Sequence, residues 1–271
     1  MSQTPYFLKT FVLVYLLFLY APVLLLPIFA FNDSTIISFP LNAFTLKWFS
    51  GLAKETSLHD SLKNSLTVAI CASILSTILG VLAARAWGRY EFFGKKGMIS
   101  FLMLPLILPE IIIAVALLVV LMQMGMELSL WTVVMGHTLL CTPFSISILN
   151  SAFNNMDKSL EEASLDLGET RYGTFKRVIL PLVTPGLISS LLIAFTLSLD
   201  EFIIAFFLTG TDATLPVYIW GLLRFPAKLP GVFALGFMML LLSLVLLSLS
   251  EFFRRRMIRL AGTSKQPTSI F

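Results

Sequence analysis

The chain has 271 residues, 57% of them hydrophobic and only 13% charged, with a formal net charge of +4 and a mean hydropathy of +0.91. Ordinary soluble domains carry about 25% charged residues, so the composition excludes a soluble globular protein and points to an integral membrane protein. Cys71 and Cys141 both fall inside apolar runs, which excludes a disulfide framework, and no Cys/His cluster suggests a metal.

Tyr6 to Phe31 predicts the first span, bent near Pro22 and Pro27. Its apolar run exceeds the roughly 7–15 residues of a signal peptide, and no small-residue cleavage site follows. It therefore reads as a retained helix. Asn32 to Asp60 is a polar connection in which Trp48 and Phe49 suit a membrane interface. Ser61 to Ala84 is the second span, long enough at about 1.5 Å per residue to cross about 30 Å of hydrocarbon. Ala69, Ala72, Ser73, Ser76, Gly80 and Ala83 recur along it and favour close helix contact. A basic loop, Arg85 to Lys96, leads to the third span, Gly97 to Met122, which Pro105 and Pro109 interrupt. After the short loop Gln123 to Leu130 comes the fourth span, Trp131 to Phe153.

The polar stretch Ser159 to Pro181 follows. Ser159 is placed to cap a short helix, and Glu162 completes a Ser-x-x-Glu capping box. Leu160, Ala163 and Leu167 fall at i, i+3 and i+7 and form an apolar stripe, while Glu161 and Asp166 face elsewhere. Gly168 stands where the chain needs a left-handed residue to stop the helix. A second amphipathic stretch carries Tyr172, Phe175 and Val178, and Leu180-Pro181 ends it. Two readings of this knob stay open from the pattern. It is a loop helix packed under its own bundle or on headgroups, or a docking element whose stripe enters a partner's groove.

The fifth span runs from Pro185 to Leu208 and the sixth from Gly231 to Phe253, joined by a polar loop with Trp220 and Arg224. A tail opens with Arg254-Arg255-Arg256 and ends polar, which predicts disorder. No connection is long enough for a soluble domain, so residues 1–271 read as a single transmembrane domain. No Gly-x-x-x-x-Gly-Lys-Ser/Thr loop is present. Of the 19 Lys and Arg residues, only Lys47, Lys54, Lys63, Arg224 and Lys228 fall on one side of these spans. The other side, with both termini and the knob, is therefore cytoplasmic.

Ionisable groups inside the apolar spans are costly and mark functional sites by default. Glu110 directly follows Pro109, where a new half-helix can begin. Two readings stay open for it: an acid satisfied by its own helix end, or a carboxylate facing a cation near mid-membrane. Asp200 and Glu201 lie toward the outer end of the fifth span. Adjacent helical residues point about 100° apart, so two readings stay open: one acid faces a cavity and the other a neighbouring helix or the interface, or both sit at a shallow outer end. His137 reads as a buried, hydrogen-bonded histidine, and Glu251 as an interfacial acid paired with the arginines.

Glu162-Ala163-Ser164, three residues, Gly168, nine residues, and Val178-Ile179-Leu180-Pro181 resemble the EAA loop of ABC-importer permeases. Ser164 stands for its second alanine and Val178 for its isoleucine. The resemblance implies a coupling helix that fits a cleft on an ATPase subunit, with Glu162, Ala163, Ser164, Leu167, Gly168, Leu180 and Pro181 as coupling residues. Tyr20-Ala21-Pro22, Phe31-Asn32-Asp33-Ser34, Pro109-Glu110-Ile111, Glu161 to Gly168 and Ala194 to Phe202 are similar to the second permease subunit of spermidine/putrescine importers. In that group the positions of Glu110, Asp200 and Glu201 are usually acidic, often Asp where this chain has Glu.

The resemblance implies an all-α membrane protein with six transmembrane helices, the type I ABC-importer permease (MetI-like) fold and a cytoplasmic coupling helix. It implies a permease subunit of an ATP-driven importer in the bacterial inner membrane, moving spermidine or putrescine into the cytoplasm along Glu110, Asp200 and Glu201. Such a chain is not an enzyme and binds no cofactor; ATP and Mg²⁺ belong to a separate ATPase. The implied partners are a second homologous permease forming a heterodimer, two ATPase subunits, a periplasmic substrate-binding protein and the bilayer, with no nucleic acid. Two alternatives remain: the same fold carrying another solute such as ferric iron, sulfate or an amino acid, and an ion-coupled secondary transporter.

Overall fold

Apolar segments out of reach of water must satisfy their backbone N–H and C=O groups internally, and helices do this within one segment. A computed structural model describes residues 6–36, 39–41 and 43–261, which are helical apart from their connections and one isolated bridge between Asn32 and Phe44. The expected disordered end of the tail, from residue 262, lies outside the described residues.

The helices are α1 (Tyr6–Ala30), α2 (Lys47–Leu52), α3 (Thr56–Arg89), α4 (Lys95–Leu102), α5 (Glu110–Gln123) and α6 (Leu130–Asn154). They continue as α7 (Lys158–Asp166), α8 (Arg171–Thr174), α9 (Leu180–Asp200), α10 (Ile203–Leu208), α11 (Leu215–Leu222) and α12 (Leu229–Ala261). Among the described residues five helical stretches are long and apolar enough to cross a membrane: Phe7–Ala30, Thr56–Arg89, Leu130–Asn154, Arg171–Asp200 and Pro226–Arg256.

The predicted third span is not one helix. It is α4, a 3₁₀ turn at Leu104–Leu106 and α5 in series. Pro105 and Pro109 explain this, because proline lacks the N–H that a continuous helix needs. Pro109 instead stands at the N-cap of α5 with φ −57° and ψ 132°. With 14 residues, α5 is about 21 Å long. The predicted fifth span is also revised. It begins earlier, and α9 stops at Asp200 before α10 resumes at Ile203. Leu180-Pro181 does not end the preceding amphipathic stretch. A π turn at Phe175–Ile179 carries the chain from α8 straight into α9. Its wider turn accommodates the ring of Pro181, which would collide with a carbonyl four residues back in a regular helix. Arg85 and Arg89, expected in a loop, belong to the last turns of α3.

The described chain falls into two compact units. The smaller takes residues up to His59 together with Tyr218–Leu242. Aromatic contacts hold it: Phe29 lies 5.7 Å from Phe233, and Phe31 lies 5.5 Å from Phe237 and 5.1 Å from Phe49. The Trp48 indole N–H donates to the Asn32 carbonyl at 2.9 Å. Phe7, Phe11 and Phe18 of α1 are exposed, as suits an apolar surround.

The larger unit, from Asp60 to Val217 and from Ser243 onward, is built round α6. Its small-residue stripe on α3 is the buried face: Ala69, Ala72, Ser73, Ser76 and Gly80 are all buried. A Cβ on Gly80 would stand 2.8 Å from Ser145 Cβ and 3.0 Å from its carbonyl carbon, so α3 and α6 touch at backbone range. Hydroxyls join the neighbouring helices: Thr77 of α3 bonds Ser190 of α9 at 3.2 Å, and Ser189 of α9 bonds Ser250 of α12 at 3.0 Å. Val68, Ile113, Val133, Leu140, Ile204 and Leu208 form the apolar core at the other end.

Gly80→Val therefore forces α3 away from α6 and should lower stability by about 1–3 kcal/mol, the usual cost of overpacking. Gly97→Ala, where no atom lies within 4 Å of the added carbon, serves as the control. Thermal unfolding in detergent should show a lower midpoint for the first variant and no drop for the second.

Candidate functional site

One end of the larger unit carries the knob. Asp157, not Ser159, caps α7: its side chain accepts the Ser159 N–H at 3.0 Å. Aspartate is as good a cap as serine and begins the helix two residues earlier, at Lys158. Gly168 takes φ +88°, the left-handed stop expected of it. Thr170 then caps α8 by accepting the Gly173 N–H at 3.0 Å. The stripe of α7 faces outward: Leu160 is 45% exposed and Leu167 89%, and Ala163 is exposed as well. Glu162, Gly168 and Pro181 are also open, Leu180 is half-buried, and Ser164 turns inward to bond the Thr174 hydroxyl at 3.0 Å. On the second stretch Tyr172 is 74% exposed, while Phe175 and Val178 are half-buried.

The inward face of α7 is held by charge. Glu161 is buried, with Arg85 Nη2 at 3.2 Å and Arg89 Nε at 3.5 Å. Nothing in the spacing around Glu161 announced this. The signal lay in Arg85 and Arg89 at i and i+4, which share one face of a helix once α3 runs past the apolar span.

The acids are separated by the fold. Glu110 is exposed at the first residue of α5, where the helix dipole favours a negative charge. Asp200 is exposed at the last residue of α9, and the Ser243 hydroxyl donates to its Oδ2 at 2.8 Å. Glu201 is buried. Its carboxylate accepts the N–H of Ile204 at 3.0 Å and of Ala205 at 3.2 Å, which starts α10 after the extended backbone at Glu201 itself. His137 of α6 is buried against it: Nε2 stands 3.1 Å from Glu201 Oε2, and Nδ1 shares a 2.7 Å hydrogen bond with the Ser198 hydroxyl. The two acids point apart across a break in the helix, not along a continuous one: Asp200 is open and Glu201, on extended backbone, turns toward α6. Glu251 lies within 2.6 Å of Arg254 and 2.7 Å of Arg255, the pairing expected of it.

The chain forms a helical bundle with an outward-facing amphipathic loop between two spans. It is matched by a bacterial ABC transporter involved in the import of the acidic polysaccharide alginate, at a TM-score of 0.70 and 19% identity over 92% of this chain and 94% of that one. The fold is thus that of an ABC-importer permease, with the third span split. Residues 76–259 match the model of the binding-protein-dependent transport system inner membrane component, and the chain belongs to that family. It is a transport subunit, not an enzyme. The chain is 33% identical over 241 residues to the spermidine/putrescine transport system permease protein PotC of Escherichia coli K12, covering 88% of this chain and 90% of the relative. It is also 33% identical over 215 residues to the putrescine transport system permease protein PotI of the same strain, covering 76% of each.

Glu201→Ala removes the acceptor for two backbone N–H groups and the carboxylate beside His137 Nε2. Leaving a buried N–H without its acceptor costs about 1–3 kcal/mol. Asp200→Ala loses one partly solvated hydrogen bond, about 1 kcal/mol. Folded yield and thermal midpoint should fall sharply for the first variant and slightly for the second.

Proposed function

We propose that the chain is the permease subunit of an ATP-driven importer that moves spermidine or putrescine across the bacterial inner membrane into the cytoplasm. The observation that carries this reading is the 33% identity to a spermidine/putrescine permease along 88% of the chain. The chemistry agrees. A polyamine is a flexible, multivalent cation, and carboxylates in a poorly solvated path can replace its water. Glu110 and Asp200 are exposed acids within apolar stretches and take that role. Glu201, among the acids singled out in the sequence, serves the pathway by holding the helix break behind Asp200.

The outward face of α7 is the ATPase docking surface. Leu160, Ala163 and Leu167 supply its apolar contact, with Glu162 and Gly168 beside them, while Ser164, Leu180 and Pro181 set the knob on α8 and α9. ATP and Mg²⁺ are bound by that separate subunit. The Lys/Arg bias supports a cytoplasmic position for this face and for both termini. The complete importer has a second, homologous permease as heterodimer partner, two ATPase subunits and a periplasmic binding protein that delivers the polyamine. The chain acts within it as one permease domain.

The same fold serves an alginate importer, so substrate class is the part that uptake must decide. Radiolabelled spermidine uptake by cells expressing the importer should be competed by putrescine and not by sulfate, ferric citrate or amino acids. Competition by one of those solutes alone would overturn the polyamine reading.

Glu110→Gln and Asp200→Asn keep shape and remove charge. Each should reduce uptake per folded copy roughly 10- to 100-fold, taking about 1.4 kcal/mol per tenfold. Unchanged uptake per copy would remove both acids from the pathway. Gly168→Val places a β-branched residue at φ +88°, a conformation it resists. The permease should still insert but lose its co-purifying ATPase. For topology, cysteines placed at Gly125 and Asp212 should react with an impermeant reagent from outside, and one at Glu169 should not. The reverse pattern contradicts the orientation.

A further inference from the structure

We infer that Glu161, clamped between Arg85 and Arg89, is the tie through which movement of the knob reaches the membrane helices. The knob is weakly built into the bundle along its backbone. Non-helical residues precede α7 at Asn155–Asp157, and the left-handed Gly168 follows it, so α7 is hinged at both ends. Its outward face, with Leu160 and Leu167, is free of the bundle. Its inward face is joined to other elements chiefly by the Ser164–Thr174 hydroxyl bond and the Glu161 carboxylate, while Arg89 also stands 4.0 Å from the more exposed Glu162 carboxylate.

The Glu161 carboxylate is the stronger tie. It is 7% exposed and meets two guanidinium groups at 3.2 and 3.5 Å, from side chains only 21% and 29% exposed. Charge-assisted contacts shielded from water are about twice as strong as neutral ones. The guanidinium of Arg85 also lies 4.9 Å from the Phe175 ring centre, in the π turn at the root of α9. One carboxylate therefore joins α7 to the end of α3 and, through Arg85, to the start of α9. Further along, α3 contacts α6 at Gly80–Ser145 and α9 at Thr77–Ser190. A push on α7 is delivered to the paired helices rather than absorbed in its hinges.

Glu161 is a positioning residue: it lies on the face opposite the docking stripe. The inference rests on the docking role of that stripe, so the experiment tests both. The complete importer is reconstituted in proteoliposomes as wild type, Glu161→Gln, Leu167→Asp, and the charge-exchanged pair Arg85→Glu with Glu161→Arg. ATPase retention, ATP hydrolysis and spermidine uptake are measured on each. Nitroxides at exposed Leu82 and Leu249 report the α3–α12 distance without and with ATP and vanadate.

Glu161→Gln should keep the ATPase and hydrolyse ATP within about twofold of wild type. Its uptake per ATP hydrolysed should fall at least tenfold, and the nucleotide-dependent change in distance should vanish. The exchanged pair should recover part of both. Leu167→Asp should lose the ATPase; if it does not, the docking role of the stripe fails, whatever Glu161 does. If Glu161→Gln retains the ATPase with uptake per ATP and distance change as in wild type, the tie is refuted. If it only lowers the amount of assembled importer, with survivors coupled normally, Glu161 is structural and the tie is likewise refuted. The distance measurement judges the tie even if the wild type imports no spermidine.

Discussion

The close approach of α3 to α6 and α9 is the constraint on which the larger unit depends. Between helices surrounded by apolar material there is little hydrophobic force to draw them together, so association relies on packing and interhelical hydrogen bonds. Gly80 against Ser145, and Thr77 against Ser190, meet that requirement at one seam. The seam fixes both ends of α3. One end carries Arg85 and Arg89 to the knob; the other holds Ser65, whose hydroxyl accepts the Leu215 N–H at 2.7 Å. Loops that are distant in sequence are thus gathered at opposite ends of one packed core.

Breaks in the helices carry the rest of the design, and each has an identifiable cause. Prolines separate α4 from α5 and place Glu110 at a helix start. The carboxylate of Glu201 substitutes for the missing helical acceptors of α10, which leaves Asp200 at an open helix end. A π turn lets the knob run into α9 without a loop. Such discontinuities at membrane depth are tolerated where protein groups satisfy the freed backbone, and they are where transporters place their solute-facing groups.

Much of this was legible in the sequence because it depends on local period and composition. The spans follow from apolar length, the buried stripe on α3 from its small residues, the stop at Gly168 from the need for positive φ, and the start of α5 from Pro109. The outward stripe of α7 was legible as a pattern, but not which way it faced, since a periodic stripe fits either packing or docking. Most of the missed features are non-local. Glu161 and Arg85 are 76 residues apart and meet only after α6 folds back. His137 and Glu201 meet because α6 and α10 share the core built by Val133, Ile204 and Leu208. The cap at Asp157, a local feature, was missed because a Ser-x-x-Glu box beginning two residues later competed with it.

The central claim is that ATP hydrolysis by a docked subunit drives polyamine across this permease. Its most direct measurement is spermidine flux in proteoliposomes containing the purified importer and its binding protein, with ATP supplied on the knob side and all ion gradients collapsed by ionophores. Flux that requires hydrolysable ATP and persists without gradients is the result predicted. Flux that ignores ATP and follows a proton or sodium gradient would contradict the account.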